Sequence, residues 1–266
     1  MAYKARDFVV HEANYKQLMA LQPNVAVLPW GATEAHNYHL PYGTDVIEAN
    51  ALGEAGVARA NAAGAQCVLL PCVPFGIDHT QLYQIATITM RASTQQAVLS
   101  DVCESLVTQG IDRLVLLNFH GGNEFKSMIR DIMLDLPIMI VQVHGYQIAP
   151  QIQELLEIPG DHADEFETSL LLHLTPDWVA PLSAAGNGRT IKSKLPAITS
   201  TPGVFTPRDW QSLTKDTGTG DPKKATAAKG EQMFEMLVAA LTRILVELSA
   251  AKNGDFPYVV DHHDHD

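Results

Sequence analysis

The 266-residue chain is poor in cationic side chains, in cysteine and in long apolar runs. Its 18 Lys and Arg stand against 30 Asp and Glu, for a formal charge of −12. Gripping duplex nucleic acid requires Lys and Arg to neutralise phosphates, so nucleic acid is excluded as the main partner. No stretch reaches the roughly 18–20 consecutive apolar residues of a membrane span. The opening MAYKARDFVVHEANYKQL carries charges where a secretory signal needs an unbroken apolar core, so a cytoplasmic protein without a membrane partner is expected. Cys67, Cys72 and Cys103 are an odd number without C-x-x-C spacing. That pattern excludes a disulfide framework and a thiolate zinc site, and fits reduced structural thiols.

What the chain does hold is enough apolar material for a core. At 46% hydrophobic and 18% charged it is not a disordered sequence. Short apolar runs at Val25–Trp30, Gln66–Leu70, Arg113–Phe119 and Ile138–His144 read as buried strands. Segments of helical character follow at Thr44–Ala63, Ser93–Gln109, Glu124–Leu134 and Ala163–Leu174. Ser93-x-x-Gln96 matches a capping box, and Asp221-Pro222 reads as the start of a long helix running on through Lys223–Ala251. Strand–helix alternation of this kind predicts an α/β chain with a mostly parallel sheet covered by helices. One domain over 1–266 is expected. Within it, residues from about 176 to 222 are irregular and expected to hold short strands or an arm toward a neighbouring subunit. Residues from about 257 form a polar tail.

Eleven histidines are above ordinary usage. His262, His263 and His265 belong to the tail and read as solvated chain, not as a site. Of the other eight, His36, His39, His120 and His162 fall after predicted strands, where open α/β sheets keep their functional residues. After the first strand, LPWGATEAHNYHLPYGTD brings Glu34, His36, His39 and Asp45 together. Residues two apart in extended backbone point the same way, so Glu34 and His36 can face one cavity. Asp45, after Gly43 at a helix start, can turn back toward them. His39 reads as a structural residue behind that pair. The third strand ends in Asn118-Phe119-His120-Gly121-Gly122-Asn123, and the two glycines allow close backbone approach. An esterase oxyanion loop has a similar look, but it requires a G-x-S-x-G elbow, which the chain lacks. Farther on, Asp161-His162-Ala163-Asp164-Glu165-Phe166-Glu167 places His162 at a helix start and Glu167 one turn inside, with His173 a packing or surface residue.

Carboxylate oxygen and imidazole nitrogen without thiolate suit Zn²⁺, Mn²⁺ or Fe²⁺. Two metals about 3.5–4 Å apart need a bridging carboxylate and about two further protein ligands each. The inventory fits Asp45 as the bridge, Glu34 and His120 on one ion, and His36 and Glu167 on the other. His162 is then left for proton transfer, with Asp161 either orienting it or capping the helix. A single-metal site would leave two acids buried and unpaired.

These blocks carry a resemblance. WGATEAHNYHLPYGTD, NFHGGN and DHADEFETS, together with a later Gly220-Asp221-Pro222 stretch, resemble in order the motifs of the creatininase family of amidohydrolases, over about residues 20 to 245. The resemblance implies a three-layer α/β/α fold and commonly a homohexamer. It implies two divalent metals, Zn²⁺ first and Mn²⁺ or Fe²⁺ also accepted, on Glu34, His36, Asp45, His120 and Glu167. It also implies a catalytic role for His162. Asn37 stands where the family usually has glycine. Gly121-Gly122 and Ile158-Pro159 stand where creatininases proper carry a Tyr-Glu pair and a tryptophan. Those departures point away from creatinine, toward relatives acting on other amides, including formamide-cleaving and peptide-processing members. The expected activity is hydrolysis of a non-peptide C–N bond in a cyclic amide or formamide by a metal-bridged hydroxide, on a small-molecule substrate enclosed by the loops near Pro74–Gln84 and the irregular segment. The alternatives are a dinuclear phosphoesterase, which would draw cations from Arg189, Lys192 and Lys194, and a metal-binding scaffold without turnover.

Overall fold

A computed structural model describes residues 5–251 of the chain. Four parallel strands, β1 (Val25–Trp30), β2 (Cys67–Leu69), β3 (Arg113–Asn118) and β4 (Met139–His144), form one sheet in the order β2-β1-β3-β4. β1 and β3 are buried along their whole length, as central strands covered on both faces must be. Their alternation sorts two cores. Val25 and Val27 of β1, with Val115 and Leu117 of β3, face α2 (Thr44–Ala62), α5 (Glu165–Leu174) and α8 (Ala227–Ala250). Ala26, Leu28 and Trp30, with Leu114 and Leu116, face α3 (Ala92–Thr108) and α4 (Lys126–Asp135), while α1 (Tyr15–Leu21) adds Leu18 and Leu21 to that side. The result is the expected three-layer α/β/α arrangement.

The order also positions the site. From β1 the chain moves outward to β2 and then crosses back to β3 on the other side of β1, so the direction of winding reverses between β1 and β3. At such a point the connections leaving the two strand ends diverge to opposite faces and open a crevice at the carboxyl ends of the strands.

Several local expectations are corrected. α3 begins at Ala92 with Arg91 as its cap and no side-chain cap bond, so Ser93-Gln96 makes no capping box. Asp221 accepts a hydrogen bond from the Lys223 amide, but only for a single 3₁₀ turn, Pro222–Lys224. Ala225 and Thr226 then turn extended, and α8 starts afresh at Ala227 with the Thr226 hydroxyl accepting from the Lys229 amide. Thr226 wins because its β-branched side chain favours extended backbone while its oxygen satisfies an orphan amide. The irregular segment holds no strand among the described residues. It contains 3₁₀ turns, the short helices α6 (Pro196–Ser200) and α7 (Trp210–Leu213), and the isolated bridge His162–Thr219. The histidine tail lies outside the described residues.

α8 buries Met233, Leu237, Leu241 and Leu245 at four-residue spacing, a stripe along one face. Near its start Gly230 meets α5 so closely that a Cβ there would fall on the Ser169 carbonyl. Helix propensity alone would make Gly230→Ala stabilising by about 1 kcal/mol. We expect the reverse, a loss of about 1–3 kcal/mol from overpacking against backbone that cannot yield. Denaturant unfolding of the variant measures the sign, and a gain in stability would show that α5 and α8 are not so tightly apposed.

Candidate metal centre

Three chain segments meet at the crevice. Beyond β1, Glu34 and His36 point inward, and Asp45 reaches back from the first turn of α2. Beyond β3, His120 enters from the other side. The third segment runs from His162 into α5, where Asp164 caps the helix by accepting from the Phe166 and Glu167 amides. Just before it Ala163 is left-handed, at φ 50°. That conformation costs an alanine about 1–2 kcal/mol, and here it turns His162 inward while its own amide donates to Glu167 Oε2. Glu34, His36, Asp45, His120 and His162 are all buried, and Glu167 nearly so.

Ligand atoms of Glu34, Asp45 and His120 lie within 4.8 Å of one another, and so do those of His36, Asp45 and Glu167. Asp45 is common to both triads. Its Oδ1 is 2.9 Å from His36 Nε2 and its Oδ2 is 3.1 Å from His120 Nδ1, while Glu34 Oε1 is 2.8 Å from the same Nδ1. His36 Nε2 is 4.0 Å from Glu167 Oε1. Glu34, His36 and His162 form a third such group.

The ring nitrogens facing away from the crevice have acceptors. His36 Nδ1 lies 3.1 Å from the Glu34 carbonyl, and His120 Nε2 lies 3.1 Å from Asp78 Oδ1 and 3.2 Å from the Ile77 carbonyl. A carbonyl only accepts, so these nitrogens carry the protons in the neutral rings, and the lone pairs of His36 Nε2 and His120 Nδ1 point into the crevice. Such second-layer acceptors fix the tautomer of metal-ligating histidines. A buried set of oxygen and imidazole donors, one carboxylate shared between two triads and both histidines held in the ligating tautomer fits two divalent cations.

The electrostatics point the same way. Burial opposes charge on His36, but Asp45, with Glu167 and Glu34 behind it, outweighs burial and lifts its pKa to about 10. His120 is likewise raised against burial by Glu34, Asp45 and Asp78. Burial works to raise Glu34, yet the histidine charges prevail and hold it low. Burial, with Asp164 and Asp45 adding to it, pushes Glu167 up to about 8. Without metal, protons on the histidines therefore supply the positive charge that the acids require, and cations entering the site must displace them.

Other expected residues fall as follows. His39 Nε2 pairs with the Thr168 hydroxyl at 2.8 Å, outside the triads, and burial with the His36 charge lowers its pKa to about 4. His173 packs on Phe234. Asp161 does not orient His162. Its carboxylate takes hydrogen bonds from Arg208 and the Thr219 hydroxyl, because its half-exposed side chain points to the irregular segment. His162 Nε2 instead meets the Ala35 carbonyl at 2.9 Å, which leaves Nδ1 facing Glu34 Oε1 at 4.0 Å. Asn37 is left-handed at φ 54°, which explains why glycine or asparagine suits this position. Its side chain also accepts from the Gly186 amide and donates to the Gly186 carbonyl, tying the irregular segment to the site. Of the two glycines after His120, Gly122 is the one in close approach: a Cβ there would meet the His120 ring and the Ile77 carbonyl, whereas a Cβ at Gly121 would only touch the Tyr146 hydroxyl at ordinary contact distance. Arg189, Lys192 and Lys194 are exposed.

Four further contributors lie outside the sequence motifs. Asp78 backs His120, and Gln81 donates to Glu34 Oε2, both from the Pro74–Gln84 loop. Trp210 of α7 packs edge-on to His162, ring centres 4.9 Å apart. Glu48, one helical turn beyond Asp45, is buried with neither carboxyl oxygen hydrogen-bonded. Only the helical spacing from Asp45 could have signalled Glu48.

Burial, with Glu167, Asp45 and Asp164 adding to it, raises the Glu48 pKa well above the carboxylate range. Folded Glu48 thus keeps a proton that the unfolded chain gives up near pH 4.5, so its stabilising share is complete below that pH and is lost as pH rises. In metal-free protein we expect Glu48→Gln to raise Tm by more at pH 8 than at pH 5. A Tm gain that shrinks with rising pH would mean that Glu48 is ionised in the fold.

The model of a family described as creatinine amidohydrolase matches residues 11–245. The chain is 30% identical to a Mycobacterium tuberculosis protein named mycofactocin precursor peptide peptidase, over 89% of this chain and 91% of that one. It is similar to a Bacteroides fragilis structure provisionally named a creatinine amidohydrolase, with TM-score 0.86 and 34% identity over 94% of this chain and 99% of that one. A creatininase variant of Zn-Zn type shares the fold at TM-score 0.76 and 22% identity, over 93% of this chain and 100% of that one.

Proposed function

Since the chain belongs to the creatininase family of amidohydrolases, we propose that it hydrolyses the C–N bond of a cyclic amide or a formamide, with two divalent ions held by Glu34, His36, Asp45, His120 and Glu167. The observation that carries this reading is the pair of triads sharing Asp45, with His162 placed beside them. Bound there, the ions would supply an activated water and polarise the substrate carbonyl. Zn²⁺ is the first choice, and Mn²⁺ and Fe²⁺ accept the same donors.

The chain's own part in the chemistry is proton handling. Burial lowers the His162 pKa against the opposing pull of Glu34, which favours the neutral ring. Its Nε2–H donates to the Ala35 carbonyl and fixes the ring plane. Nδ1 is therefore the atom that receives a proton from the attacking water and passes it to the departing nitrogen, whose poor leaving ability makes that transfer necessary. Asp78 and Gln81 hold His120 and Glu34 in place. Gly122 lets the chain pass close against the His120 ring and so helps to fix it.

A second reading, cleavage of a peptide, is favoured by the peptidase relative's 30% identity over most of both chains. The phosphoesterase alternative is weakened by the family assignment and by ligand blocks without Lys or Arg. The proposal includes a homo-oligomer, hexameric in the family pattern, which the exposed Ile191, Leu195 and Phe205 of the irregular segment support.

Metal-loaded protein should hydrolyse at least one member of a panel of creatinine, formamides, small lactams and short peptides. On that substrate His162→Asn should retain both metals and lose about 10²–10⁴-fold in kcat/KM. Retention of full activity would remove His162 from the chemistry, and loss of metal would make it a ligand.

A further inference from the structure

Beside His162 stands a cationic group that neither the metal centre nor the proton relay uses. Arg208 sends both terminal nitrogens to the two Asp161 oxygens, and its guanidinium carbon sits 5.7 Å from the Trp210 ring centre. Trp210 in turn lies edge-on to His162 at 4.9 Å. α7, which carries Trp210, also packs on the His79–Gln81 turn, where Gln81 donates to Glu34. The two contacts in series put Trp210 between the guanidinium and His162.

This cation is held and still open. Asp161 is itself fixed by the Thr219 hydroxyl, and Thr219 bridges to His162 through backbone, so the guanidinium has a rigid mount. The side chains of Arg208 and Asp161 are each half exposed. A guanidinium has five donors, and Asp161 engages one edge only. The Nε edge and the outer N–H groups remain for a second planar acceptor, and a carboxylate matches that fork.

Resting on the amide-hydrolysis reading above, we propose that Arg208 is the anchor for a carboxylate on the substrate, with Trp210 as the wall between anchor and scissile bond, so that the preferred substrates are amides that carry a carboxylate some bonds away from the carbonyl. The acids of the metal triads do not oppose this, because two divalent cations bring four positive charges against the three of Glu34, Asp45 and Glu167. A formamide of an amino acid and the free end of a short peptide both satisfy the requirement.

The test uses metal-loaded protein and a homologous series of N-formyl ω-amino acids, each with its neutral carboxamide, and follows binding by tryptophan fluorescence and hydrolysis by formate release. We expect one chain length at which the acid binds at least 10-fold more tightly than its carboxamide. In Arg208→Gln the Kd of that acid should rise to the Kd of the carboxamide measured with the same variant, and Arg208→Lys should recover part of the difference. Equal affinity for acid and carboxamide across the series overturns the proposal. So does an acid preference that survives in Arg208→Gln, which would place the carboxylate on the metals. Selective binding without formate release upholds the anchor and counts against formamide hydrolysis, so the two readings fail separately. Arg208→Gln should keep the wild-type Tm and metal content, which excludes misfolding as the cause of lost affinity.

Discussion

Three carboxylates end in one buried crevice at the carboxyl ends of β1 and β3, and the surrounding structure is organised around that concentration of negative charge. Acids so close together repel, and burial removes the water that would screen them. The fold meets the problem with His36 and His120 on the inside, with Gln81 donating to Glu34, and with the Ala163 amide donating to Glu167. It also aims histidine lone pairs inward by giving their outer nitrogens to carbonyls and to Asp78. Such an arrangement is costly as a purely structural core. It becomes favourable when cations occupy it.

The sheet order explains why these groups meet. Glu34 and His36 follow β1, His120 follows β3, and reversal of winding between those strands opens the space that they share. α2 begins at the rim and delivers Asp45 into the middle. α5 begins opposite, and the strained turn at Ala163 brings His162 and Glu167 to the same point. Packing of α5 on α8, close enough to require Gly230, fixes that third segment against the sheet. Core packing far from the crevice therefore determines ligand geometry within it.

Much of this was legible in the sequence. The runs Val25–Trp30 and Arg113–Phe119 read as buried strands because their middles are unbroken apolar stretches without the alternation of a half-exposed strand. The residues that meet in the crevice were legible because acids and histidines clustered just after those runs. What escaped was set by contacts across the chain. Asp78 and Gln81 look like ordinary loop residues until their loop is laid against His120 and Glu34. Glu48 looks like a surface acid on an alanine-rich helix until α5 covers it. Asp161 looked like a partner for its neighbour His162, but adjacent side chains diverge, and Arg208, 47 residues away, takes it instead. Trp210, in a segment without periodicity, gave no sign that it would lie against His162. Local capping motifs also misled where a competing local conformation won, as at Ser93 and Asp221.

The shared position of Asp45 is the central claim, and counting and locating the metal tests it most directly. Protein loaded with Zn²⁺ and freed of excess should contain two ions per chain, and anomalous diffraction should show them about 3.5–4 Å apart with Asp45 between them. Asp45→Asn should lose both ions together. A single ion per chain, or a pair that survives in Asp45→Asn, would contradict a dinuclear centre built on that carboxylate.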